Sequence, residues 1–185
     1  MTQANKNRID TMLIECATAL MSACGTTVVF DPAGEQAHTP QDGFLAVIGF
    51  VCPQMRGSLV LSANHGILRS SCPVRTSGVE IDPDTLQDWA GELANQLLGR
   101  LKSRLLAHGV TIQFGIPTTV SGLELRVRSC TGLRPSTPLW LYSTSSHSDW
   151  VVVRLDILLA EESPISLSQI PNPGSAAVEG DILLF

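Results

Sequence analysis

Charge of either sign is scarce in this 185-residue chain: 16% of residues are charged, and only two of the twelve cations are lysine. Seventeen acids against twelve cations leave a net charge of −5. The arginines are scattered, so the basic footprint of a nucleic-acid binder is missing. No run reaches the roughly 20 consecutive apolar residues that a membrane span needs. The longest apolar stretches, residues 44–52 and 150–160, are strand-sized. The opening MTQANKNRID is polar and leads into an amphipathic segment, so no signal peptide is expected and the chain is expected to be soluble and cytoplasmic. Cys16, Cys24, Cys52, Cys72 and Cys130 include no CxxC pair and sit beside no finger-like histidine spacing. That pattern excludes a disulfide framework and a zinc finger, and leaves the thiols as small buried apolar groups. A glycine-rich phosphate loop followed by lysine is also absent. Apolar residues, by contrast, make up 44%, enough for one domain with a sizeable core.

Apolar spacing predicts a helix over residues 5–24, where Ile9, Leu13, Ala17, Leu20 and Cys24 share a face. Gly25 stops it, and the β-branched TTVVFD (26–31) reads as a strand before a loop at 32–43. The runs 44–52 and 58–63 read as a hairpin joined by PQMRG, followed by a short helix at 65–71. Asp82-Pro83 opens the strongest helix, predicted over 83–108 and stopped by Gly109. Strands are expected at 110–116, 123–129, 139–145 and 149–160. The Ser/Pro/Gly-rich residues 161–185 are expected to form a flexible tail behind a single domain at 1–160.

A repeat lies within this order. ACGTTVVF (23–30) and AHGVTIQF (107–114) share Ala, Gly, Thr and Phe in register, each after a helix and each before a loop and hairpin. The same offset pairs Leu13 with Leu97 and Ala17 with Leu101. The implied fold is α+β: duplicated halves building a largely antiparallel sheet covered by two long helices.

On the 83–108 helix, Leu86, Ala90, Leu93, Leu97, Leu101 and the stem of Arg104 share one side. Asp88, Glu92, Asn95 and Gly99 fall within about 60° on the other. Asn and Gly both weaken an exposed helix, Gly by about 0.5–1 kcal/mol relative to Ala. Two explanations compete for Gly99. Either another element of the chain crosses there, or the bare backbone admits a partner beside a protruding carboxylate and carboxamide.

DWAGELANQLLGRLKSRLLAHGVTIQFGIPTTVSG (88–122) resembles the signature region of the CheC/CheX/FliY family of chemotaxis phosphatases. Asp88, Glu92 and Asn95 match its Asp/Ser-x3-Glu-x2-Asn motif, and Gly99, Pro117 and Gly122 match its following positions. QMRGSLVLS (54–62) is similar to the family's hairpin strand. In the first helix the equivalent positions are Arg8 and Thr11, or Glu15 and Thr18 in the nearest other register, so no Asn is present. A single intact motif is the CheX-like pattern.

The resemblance implies a phosphatase that docks on a phosphorylated CheY-like response regulator and hydrolyses its aspartyl-phosphate. Glu92 and Asn95 would be catalytic, with Asp88 and Gly99 binding the partner. No cofactor of its own is implied, because Mg²⁺ is expected in the regulator. The alternative is a non-catalytic regulator-binding or flagellar-switch-like module. CheX-like members also imply a homodimer through sheet edges, for which 139–142 and 150–160 are the expected strands. Ser146, His147 and Asp149 read as a hairpin turn rather than a triad, and Trp89, Trp140 and Trp150 as core or interface residues. Finally, Asp-Ile-Leu-Leu occurs at 156–159 and again at 181–184, and residues 180–185 are expected to order against protein surface.

Overall fold

The computed structural model describes residues 3–33, 42–74, 80–123, 125, 127 and 137–159. Three helices, α1 (Gln3–Ala23), α2 (His65–Ser71) and α3 (Pro83–Leu106), accompany seven strands. These are β1 (Val28–Asp31), β2 (Asp42–Val51), β3 (Met55–Ala63), β4 (Gln113–Phe114), β5 (Thr118–Leu123), β6 (Leu139–Ser143) and β7 (Trp150–Leu159). All pair antiparallel in one sheet of order β1-β6-β7-β3-β2-β4, with β5 also on β2. The helices cover one face, where Leu13, Leu20, Phe44, Ile48, Leu59, Leu61, Leu93 and Leu97 are fully buried.

The duplication seen in the sequence governs the sheet. Exchanging the halves carries the pair Phe30–Leu141 onto Phe114–Phe50, and Leu59–Leu155 onto Val153–Leu61. The pseudo-two-fold therefore passes through the pair Val60–Arg154, and each half lends its first strand to the other half's hairpin. The helix ends repeat too. Gly25 (φ 78°) and Gly109 (φ 75°) take the left-handed conformation, and Thr26 and Val110 donate back to Met21 and Leu105.

Several expected boundaries move. The 44–63 connector shortens to residues 52–54, because Met55–Gly57 already pair with β2 and β7. The strand expected at 123–129 falls mostly outside the described residues, an additional strand, β5, forms at 118–123, and that expected at 110–116 shrinks to two residues. Pro117, with no N–H to give the ladder, separates β4 from β5. The largest correction concerns edges. Residues 139–142 and 150–153 do not lie at an edge: β6 sits between β1 and β7, and β7 pairs with β6 at 150–153, whereas residues 154–159 pair with β3 alone among the described strands. The region 160–185, with the second Asp-Ile-Leu-Leu, lies outside the described residues, as does Cys130.

Asp82 caps α3, accepting from the Thr85 hydroxyl (2.6 Å) and the Thr85 N–H (2.9 Å). These bonds favour the carboxylate and hold its pKa below the ordinary aspartate range. The cap is therefore complete above the ordinary aspartate pKa and is lost as pH falls through the depressed value. Asp82→Ala should melt below wild type at neutral pH, and the two melting curves should converge in strong acid. A gap independent of pH would contradict this role.

Candidate functional site

The rotation of α3 about its axis is fixed from three sides. Leu86, Ala90, Leu93, Leu97 and Leu101 are wholly buried against the sheet and α1. On one flank Trp89 Nε1 donates to Ser71 Oγ of α2 at 3.0 Å, and Arg104 pairs with Glu15 of α1. On the other flank Gly91 is buried under β5, where an added methyl would meet Thr119 Cγ2 at 2.9 Å and Pro117 Cγ at 3.5 Å. Gln87 Nε2 reaches the Thr119 carbonyl on the same side at 3.5 Å.

What remains outward is the predicted stripe. Asp88 and Glu92 are exposed, and Asn95 and Gly99 are half-buried. Glu92 accepts from Gln96 Nε2 at 2.7 Å, the one-turn spacing that lets helix side chains meet. A methyl built on Gly99 meets nothing within 4 Å. The crossing-element explanation for this glycine therefore fails among the described residues, and Gly91 is where an element crosses. The result is a carboxylate and a carboxamide beside uncovered backbone, with nothing of the described chain over it.

Three contributors were missed in the sequence. Gln96 carries the i,i+4 signal and could have been found. Gly91 could not, since a wheel does not say which glycine a neighbour crosses. Ile116, next to the proline packed at Gly91, is 90% exposed and puts an apolar side chain at the border of this surface. Lys102 Nζ lies 5.5 Å from the Phe114 ring centre on the same flank.

The alternatives dismissed from the sequence take other geometries. Ser146 bonds Ser148, the Asp149 carboxylate sits over Gly66 of α2, and Asp149 N–H closes the turn onto Ser146. Cys16, Cys24, Cys52 and Cys72 are unpaired, and burial pushes the Cys16 and Cys24 thiols up. No group of metal-ligating side chains occurs among the described residues, and none of their helices is long and apolar enough to cross a membrane. Trp89 packs against the main core, while Trp140, Tyr142 and Trp150 form a second cluster on the opposite sheet face.

Comparison with known proteins agrees with the architecture. A search of curated proteins finds no match. Solved structures with the same fold include the chemotaxis protein CheX from Vibrio vulnificus, 20% identical, with 82% of this chain and 94% of that one covered at a TM-score of 0.59. The CheX–CheY–BeF3–Mg²⁺ complex from Borrelia burgdorferi matches at 12% identity, covering 80% and 96% at a TM-score of 0.60. The FliM middle domain from H. pylori matches at 13%, covering 84% and 92% at a TM-score of 0.55. At these identities the likeness establishes the fold. The family model described as chemotaxis phosphatase CheX matches residues 44–137, half of the chain, and includes the whole outward stripe of α3. This chain belongs to the CheX family of chemotaxis phosphatases.

Proposed function

We propose that the protein docks on a phosphorylated CheY-like response regulator and accelerates hydrolysis of its aspartyl-phosphate through Glu92 and Asn95. The observation that carries this reading is the uncovered Gly99 beside those two outward side chains. A family of phosphatases and a relative solved with CheY support the partner class.

The regulator supplies the phosphorylated aspartate, its Mg²⁺ and a lysine, so this chain adds position rather than a nucleophile. A carboxamide is no base at neutral pH, but its oxygen and NH₂ hold a water in line with the bond to be broken. Glu92 pairs with the regulator's lysine and sets the docking register. Gln96 keeps the Glu92 carboxylate along the helix until then. Asn95 follows Glu92 by three positions, about 4.5 Å of rise, which suits two neighbouring groups of one site. Asp88 adds a contact one turn before Glu92, and Gly99 lets the partner's backbone close on the helix.

The reading is tested at Gly99. Gly99→Ala should raise the melting temperature, since Ala favours helix by about 0.5–1 kcal/mol and its methyl has free space. Gly99→Leu should fold equally well and lose regulator binding at least tenfold. Full binding by Gly99→Leu would remove the partner surface from this face. A second reading, regulator binding without turnover, draws on the shared fold of the FliM middle domain. It predicts the same Gly99→Leu loss with no phosphate release.

The homodimer expected from the sequence is kept as part of this proposal. The edges open to it among the described residues are β1, the β4–β5 side, where Val120 and Leu123 are exposed, and residues 154–159 of β7, which pair with β3 alone. Sedimentation should give twice the chain mass at micromolar concentration; a monomer mass would exclude it.

A further inference from the structure

The sheet face turned away from the helices carries an open groove of about 700 Å³. Gly115, Gly49 and Ser58 cross its floor on adjacent strands, and Val51, Arg56 and Leu158 rise at its rim. A methyl on Gly115 would meet nothing within 4 Å, and one on Gly49 only the Gly57 carbonyl at 4.0 Å. Neither glycine is required by packing among the described residues. Glycine inside a strand is unfavourable and often marks the close approach of another backbone.

The internal symmetry shows what this groove lacks. Exchange of the halves carries Gly49, Val51, Arg56 and Ser58 onto Trp140, Tyr142, Trp150 and Val152. Those four are the second apolar cluster, with Trp140 and Trp150 at 5.7 Å between ring centres and each of the three aromatics 6% exposed. One half thus fills this face with its own aromatic side chains. The other half has Gly, Val, Arg and Ser at the equivalent positions and no aromatic, with Val51 51% exposed.

The chain itself supplies a filler. The described part of β7 runs to Leu159, one residue beyond the rim residue Leu158, and the sequence continues through residues 160–185. Its residues 181–185 are Asp-Ile-Leu-Leu-Phe, four apolar side chains behind one acid. The 21 residues at 160–180 are rich in Ser, Pro and Gly. A flexible tether of that length spans about 25 Å root-mean-square, and tethering of this kind supplies an effective concentration of order millimolar. Even weak affinity for the groove then suffices to occupy it.

We propose that Asp181–Phe185 docks in this groove of its own chain, its apolar side chains over the Gly49–Gly115 floor and Asp181 beside Arg56. Hydrogen exchange on the full chain tests it. Amides of Ile182–Phe185 should exchange at least about tenfold more slowly than those of Ser175–Ala177. Gly49→Leu, which fills the floor, should abolish that protection. Leu184→Asp leaves every described residue unchanged; it should abolish the protection and speed exchange at Val51 and Gly115. Equal rates at 182–185 and 175–177 in the wild type would overturn the proposal, as would protection unchanged in Gly49→Leu. Protection that vanishes on dilution would make a second copy the occupant. Protection that arises only when a regulator is added would make the regulator the cause, and either result overturns docking within one chain.

Discussion

Asn95→Ala is expected to abolish accelerated hydrolysis of the regulator's aspartyl-phosphate, a loss of about 100-fold or more in rate. The fold and much of the binding should survive. Ala is the better helix former, and Asn95 faces outward, so the substitution removes a carboxamide without opening the core. Glu92→Ala should weaken both rate and binding, because the carboxylate held by Gln96 is then missing from the docking register. Arg8→Ala and Thr11→Ala, at the corresponding places on α1, should change little, since that half carries no Glu–Asn pair. Following labelled phosphate on a cognate regulator separates these outcomes. Wild-type turnover by Asn95→Ala would refute the water-positioning role.

The second large effect is on stability. Gly57→Ala places a methyl 2.1 Å from the Asp156 carbonyl oxygen and 2.8 Å from Phe50 Cζ. A flexible side chain could move aside, but the first of these atoms is backbone of β7 at the centre of the sheet. Relief requires β3 and β7 to part where the two halves join. The expected cost is about 3 kcal/mol, the upper end for overpacking, or a fall of roughly 6–12 °C in Tm for a domain of this size. Gly99→Ala, measured beside it, should move the other way. Equal melting temperatures for Gly57→Ala and wild type would contradict the packing at this junction.

The contrast among these glycines marks how far the sequence could be read. Helical periodicity located Asp88, Glu92, Asn95 and Gly99 on one outward stripe, because a helix that buries Leu86, Leu93, Leu97 and Leu101 has a single remaining side. The caps at Asp82, Gly25 and Gly109 were equally legible, since their chemistry is local. The repeated ACGTTVVF and AHGVTIQF foretold paired halves, and the sheet repeats them about its centre. The exchange of first strands between halves was not foretold, because it is long-range. Edge and centre were also confused. The unbroken apolar run of 150–153 suits a strand covered on both faces, and there β7 lies between β6 and β3. Pro117 falls between the expected strands, and β5 begins directly after it at Thr118, where no strand was expected. Which glycine of α3 is crossed depends on where β5 falls, and spacing along one helix carries no such information.

The central claim is that the Glu92–Asn95 face turns over phosphate rather than merely binding. It is tested most directly by the decay of a phosphorylated CheY-like regulator with and without the full chain, alongside a binding measurement on the same pair. The account predicts loss of phosphate at least about 100-fold faster with wild type than without it, and no such gain with Asn95→Ala. Decay unchanged by a wild-type protein that nonetheless binds the regulator would contradict it.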